Sequence, residues 1–192
     1  MSRLGTPRAL IVFESMFGNT HKIALAIRDG LRDVITTELV RADQAPAEIP
    51  ADVRLLVVGG PTHAFSLSRR STRMQAAQQD QVMMPPETGI REWLQGLPDR
   101  TTQTTAVTFD TRVAKVRRLP GSAARSAGRL LRRRGFTLVA APESFFVHDM
   151  TGPIEPGEID RARAWGKELA AELKPQLGRR HHAQAVRYRG RY

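Results

Sequence analysis

The run Ala9-Leu10-Ile11-Val12-Phe13 constrains the fold more than any other part of the chain. Consecutive apolar residues without polar alternation suit a strand covered on both faces, which belongs in a parallel sheet with helices above and below. A short turn, Glu14–Gly18, leads straight into a helix predicted from Asn19 to Val34, where Ile23, Ile27, Leu31 and Val34 share one face. The alternation continues along the chain. A short polar strand at Thr37–Arg41 suits an edge, and Val53–Val58 reads as a buried strand stopped by Gly59-Gly60-Pro61. A helix is expected at Thr88–Leu97, a strand at Thr104–Phe109 and a basic amphipathic helix at Gly121–Arg134, ended by Gly135. The last strand is placed at Thr137–Ala140, resuming at Ser144–Val147 beyond Pro142. A helix from Pro156 to Leu173 closes the domain on Ile159, Ala162, Trp165, Leu169 and Leu173. Between these elements, Ser66–Glu87 lacks periodicity and reads as a long loop, either a lid or a surface insert. The expected fold is α/β, a doubly wound five-stranded parallel sheet with helices on both faces over residues 1–177. Residues 178–192 form a basic tail expected to be disordered.

At 192 residues and 41% apolar composition, the chain can bury a full α/β core. No stretch approaches the roughly 20 apolar residues of a membrane span, and the N-terminus lacks a signal-peptide core, so cytoplasm is the expected location. The chain contains no cysteine, which removes disulfides, thiolate nucleophiles, thiolate metal sites and iron–sulfur clusters. Redox chemistry, if present, must be carried by a bound organic cofactor. Net charge is +11 and unevenly spread. The tail carries Arg179, Arg180, Arg187, Arg189 and Arg191 without an acid, and residues 111–142 hold Arg112, Lys115, Arg117, Arg118 and further arginines, again without one. Such runs favour acidic partners or anionic ligands.

The chemistry concentrates where the first strand meets the first helix. Ser15-Met16-Phe17-Gly18-Asn19-Thr20 is a turn of small and hydroxylated residues at a helix N-terminus. The unpaired N–H groups and the helix dipole favour an anion there, and Gly18 permits close approach. Ser15, Asn19 and Thr20 can donate to phosphate oxygens. The nucleoside-triphosphatase loop and the dinucleotide Gly-x-Gly-x-x-Gly are both absent. The segment resembles the flavodoxin signature: Ile11, Val12, Phe13, Ser15, Gly18, Thr20, Ala24 and Ile27 meet its fixed positions. That resemblance implies a sheet order of 2-1-3-4-5, FMN rather than FAD as cofactor, and electron transfer as activity.

The resemblance extends to Val57–Phe65, similar to the flavodoxin loop along one face of the isoalloxazine ring. Pro61, Thr62 and His63 would contact the flavin, and Phe65 or His63 could stack on it, Phe65 having the alternative of a core position. The third flavodoxin loop corresponds to Phe109, Asp110, Thr111 and Arg112. Where that family has glycines, a stacking Tyr and acidic surroundings, this chain has Arg112. A cation some 6 Å from the ring would favour the reduced anion by on the order of 2–3 kcal/mol, roughly 0.1 V, unless solvent screens it. The implied partners are an acidic redox protein or a small-molecule electron donor or acceptor, with the chain a monomer or homodimer. One alternative is a flavin-dependent reductase or dehydrogenase for a quinone-like or other anionic substrate, with Arg69, Arg70 and Arg73 available to bind it. Another is a non-redox module whose tail, interleaving Tyr188 and Tyr192 with arginines, binds nucleic acid. No catalytic residue stands out, and His181-His182 is too short to argue for a metal.

Overall fold

The computed structural model describes residues 6–79, 87–99 and 103–189, with side chains through residue 175. In chain order the first elements are β1 (Arg8–Phe13), α1 (Asn19–Leu31), β2 (Thr36–Arg41), β3 (Val53–His63), β4 (Ser66–Leu67) and α2 (Arg70–Gln79). They are followed by α3 (Ile90–Gly96), β5 (Thr105–Val113), α4 (Ala123–Arg133), β6 (Thr137–Leu138), β7 (Glu143–Val147) and α5 (Glu158–Arg189).

The sheet runs β2-β1-β3-β5-β6, with β7 also paired to β5 and β4 to β3. All pairings among the main strands are parallel. β6 and β7 are two pieces of one strand position, pairing with successive parts of β5, so the five-position order 2-1-3-4-5 expected from sequence is the order found. The break falls at Pro142, which has no N–H to give to the ladder.

β1 feeds both layers of the core. Ala9, Ile11 and Phe13 pack under α1 and α5 with Ile23, Ile27, Trp165 and Leu169. Leu10 and Val12 face the opposite layer, with Ile90, Trp93 and Leu94 of α3 and Ala127 and Leu131 of α4. No helix among the described residues is long and apolar enough to cross a membrane.

Four sequence expectations change. β3 does not stop at Gly59-Gly60-Pro61 but runs on to His63, with Gly59, Gly60 and Pro61 still paired to β5. Gly59 serves close packing rather than a turn, since a Cβ there would lie 2.0 Å from Cζ of Phe109. β5 likewise continues to Val113, so the expected third loop is strand. Ser66–Glu87 is not a structureless loop: it begins with the strand β4 and continues as α2, with residues 80–86 outside the described set. The closing helix passes Pro175 and extends to Arg189, so the basic segment is helical that far, and residues 190–192 lie outside the described residues.

α1 and α5 cross at two glycines. A Cβ on Gly30 would sit 2.3 Å from the Arg163 carbonyl oxygen and 2.8 Å from the Gly166 Cα, while one on Gly166 would sit 2.4 Å from the Ile27 carbonyl oxygen. Gly30→Ala should therefore destabilise the protein by about 1–3 kcal/mol, overriding the roughly 1 kcal/mol that Ala gains over Gly in a helix. Gly96→Ala, where a Cβ would meet nothing within 4 Å, serves as the control and should be neutral or stabilising in urea denaturation.

Candidate functional site

β1 ends at Phe13, whereas β3 and β5 continue beyond it. This step at the carboxyl edge of the sheet leaves a cavity of about 530 Å³, within the range of about 300–1,000 Å³ typical of small-molecule sites. Ser15, Met16, Phe17, Asn19 and Thr20 form one wall. Pro61, Thr62 and His63 of β3 and Thr111 and Arg112 of β5 form the floor. These residues come from three separate parts of the sequence and converge because parallel strands deliver their ends to the same edge.

Gly18 does not line the cavity. It adopts φ 81° as the N-cap of α1 and gives no side-chain cap, and no acidic residue occupies the first turn. The helix N-terminus thus turns its unpaired N–H groups and positive dipole end toward the loop. Beside it the Ser15 hydroxyl is buried without a hydrogen-bond partner. The Thr20 and Thr111 hydroxyls share a hydrogen bond of 2.7 Å, tying β5 to the first turn of α1. The Asn19 amide donates to the Thr151 carbonyl oxygen at 3.1 Å and so anchors the loop after β7.

On the floor, the Thr62 hydroxyl accepts the Ala123 N–H at 2.9 Å, fixing the start of α4. Burial, and then the nearby Arg73 guanidinium, hold the His63 imidazole below its usual value, favouring the neutral ring. Arg112 is only 7% exposed. Its Nη2 donates to the carbonyl oxygens of Val116 at 2.7 Å and Leu119 at 3.2 Å, and its Nε has no partner. Its ordered neighbours are carbonyl oxygens, and among the described residues no carboxylate forms an ion pair with it.

Three residues expected at the site lie elsewhere. Phe65 does not reach the cavity: with Ala64 it forms the turn between β3 and β4, both residues at positive φ (63° and 44°), and the residue is 47% exposed. Phe109 is fully buried in the core, edge-on to Phe145 and Trp165 at 6.2 and 6.5 Å between centroids. Asp110 is also buried, facing α4, where its Oδ2 accepts the Ala124 N–H at 2.8 Å. Strand alternation explains both: with the third loop drawn into β5, Phe109 points to one core layer and Asp110 to the other.

The segment expected as a lid or surface insert borders the cavity opposite the β1–α1 turn, but as a helix and through residues the sequence reading did not name. Thr72, Gln75, Ala76 and Gln78 of α2 line the cavity, with Val113, Val147 and Met150 completing its rim. α2 is held there by a buried polar network. Glu14, fully buried, accepts the Ser68 hydroxyl at 2.5 Å and the Ile90 N–H at 2.9 Å. Arg73, 2% exposed, donates to the Ser68 hydroxyl at 2.9 Å and pairs with Glu92 at 3.1 Å. Arg91 donates to the carbonyl oxygens of Ser68 at 2.9 Å and Leu67 at 2.6 Å. Gly89 leaves room at the centre, where a Cβ would crowd Glu14 Oε2 at 2.4 Å and Arg73 Nη1 at 2.6 Å. Arg73 is thus structural rather than available to a substrate, and Arg69 and Arg70 are exposed outside the cavity wall. The available signal was Glu14 itself, a carboxylate following an apolar strand and therefore in need of buried donors.

Burial pushes the carboxyls of Glu14 and Asp110 above their ordinary values of 4.5 and 3.8. The folded protein then binds more protons than the unfolded chain at pH just above those values, so stability falls as pH rises through that window. Glu14→Gln and Asp110→Asn should each flatten this slope in urea unfolding at pH 5 and pH 8. A slope unchanged in both variants would assign it to other groups.

No protein-family model and no curated protein matches the sequence. Solved structures do match. A flavodoxin from the domain Archaea superposes with a TM-score of 0.60 at 15% identity, covering 87% of this chain and 99% of that one. Flavodoxin 2 from Bacillus cereus gives 0.59 at 17% identity, covering 86% and 98%. A diflavin flavoprotein A3 from Nostoc sp. gives 0.55 at 12% identity, covering 93% and 99%. Strand order, helix placement and these superpositions agree: the chain has a flavodoxin-like fold.

Proposed function

We propose that the cavity holds FMN and that the protein passes electrons through it. The observation that carries this reading is the buried, unpartnered Ser15 hydroxyl beside the Gly18-capped N-terminus of α1, inside a cavity of small-molecule size. A buried hydroxyl without a partner costs about 1–3 kcal/mol, a cost that a bound phosphate oxygen would remove. The donor set fits a terminal phosphate: backbone N–H groups, two hydroxyls and an amide, with no acidic side chain in the first turn. Pro61, Thr62 and His63 would border the planar ring, and Arg112 would place a positive charge beside it. Bound FMN would supply reversible electron acceptance; the chain's residues bind, orient and electrostatically bias it. The neutral His63 imidazole offers a hydrogen bond to the ring edge without adding charge. The polar wall of Gln75 and Gln78 favours a second reading, an oxidoreductase that admits a quinone-like or other anionic small molecule beneath α2. Flavin-dependent turnover of a soluble quinone with a nicotinamide donor would select that reading.

Ser15→Ala separates a ligand-binding role from a structural one. Without ligand the variant should be as stable as the parent or slightly more so, because an orphaned hydroxyl is removed. It should bind FMN more weakly by about 1–3 kcal/mol, read by quenching of flavin fluorescence. Equal affinity in both proteins would remove the assignment of this loop to phosphate. A second outcome concerns charge. Arg112 is buried rather than solvent-screened, so Arg112→Gln should lower the reduction potential of bound flavin by on the order of 0.1 V in spectroelectrochemical titration. Identical potentials would show that the guanidinium has no influence on the ring.

A further inference from the structure

Next to the cavity, two surface segments meet in an arrangement that packing alone does not require. The turn between β3 and β4 is made by Ala64 and Phe65, both in the left-handed region that side chains rarely adopt. Phe65, a large apolar residue, is left 47% exposed at this turn. Against it lies the segment 115–121: a Cβ on Gly121 would stand 2.7 Å from the Phe65 carbonyl oxygen and 3.0 Å from its Cβ, so the two backbones touch. Leu119, two residues earlier, is also 47% exposed. Lys115, Arg117 and Arg118 of the same segment are exposed, as is Arg125 near the start of α4. No acidic residue occurs between 111 and 142 to offset them.

We propose that this surface, Phe65 and Leu119 edged by Lys115, Arg117 and Arg118, docks an acidic protein that exchanges electrons with the neighbouring site. The proposal rests on the FMN reading and names the partner for it. An apolar centre with a charged rim is the anatomy of a protein interface. A nucleic-acid surface would instead place its arginines centrally, along a phosphate track. The charge pattern selects an acidic partner and would speed its approach. The surface is also joined to the cavity by one side chain. Arg112, which lines the cavity, donates to the carbonyl oxygens of Val116 and Leu119 and so holds the docking segment in place.

The test uses the full chain and an acidic one-electron carrier, a plant-type [2Fe–2S] ferredoxin, with basic cytochrome c as the opposite-charge control. Binding is measured by fluorescence anisotropy before and after FMN addition, so a chain that takes up no FMN yet binds the carrier through these residues overturns the cofactor reading and the electron exchange that depends on it, while the docking surface itself stands. Phe65→Ser and the double variant Arg117→Gln/Arg118→Gln should each weaken ferredoxin binding about tenfold, and raising salt from about 20 to about 200 mM should weaken it similarly in the parent. Arg132→Gln/Arg133→Gln, at the far end of α4, should change it less than about twofold, because screening limits the reach of those charges. Thermal melts confirm that each variant is folded. Three outcomes overturn the proposal: no ferredoxin binding at low salt, equal loss in all three variants, or preferential binding of cytochrome c. Tighter binding of a single-stranded oligonucleotide, lost in the same variants, would overturn it in favour of a nucleic-acid surface.

Discussion

From Ala9 to Phe13 β1 is buried on both faces, so each of these side chains is committed to one of two core layers and none can be spared for solvent. That commitment fixes the strand at the centre of the sheet, with β2 and β3 as its parallel neighbours. It also fixes where polar chemistry can occur. The backbone emerging from such a strand must find partners at the sheet edge, and it does so through the loop that begins with Glu14. The cavity, the α1 N-terminus and the α2 wall are all arranged around that exit point.

Two buried charges at the edge are handled in opposite ways. Glu14 is enclosed by donors: the Ser68 hydroxyl, the Ile90 N–H and, behind them, Arg73. This network ties together β1, α2 and α3, and its role is to hold a wall in place. Arg112 is also buried, though less completely, and is given carbonyl oxygens instead of a carboxylate. A guanidinium solvated only by neutral acceptors keeps its field directed at whatever lies beside it. The contrast places the structural charge away from the cavity and the unneutralised one along its lining.

The two halves of the functional reading rest on different physics. Anion binding depends on backbone geometry: Gly18 at φ 81° turns the α1 N-terminus toward the loop, and the Ser15 hydroxyl waits there without a partner. The proposed docking would instead depend on long-range charge, which the arginine-rich segment after β5 supplies without an acid between residues 111 and 142.

The sequence by itself determined the alternation of strands and helices and the two-layer core, because each depends on residues close together in the chain; the sheet order followed only from the resemblance carried by the turn at 15–20. Apolar runs, helical spacing and the turn at 15–20 carry that local information. It did not determine how far β3 and β5 run, because Gly59 is a strand residue only once the Phe109 ring needs the space above it. Nor did it reveal the turn at Ala64-Phe65. Residues of that kind do not signal a left-handed pair, and the conformation holds only while β3, β4 and Gly121 hold it. α2 was hidden for the same reason: its anchor, Arg73, makes its contacts to Glu14's partner Ser68 and to Glu92, residues that only the folded chain brings together. Where an interaction spans a few residues the pattern is legible, and where a buried group recruits partners from distant segments only the tertiary structure decides.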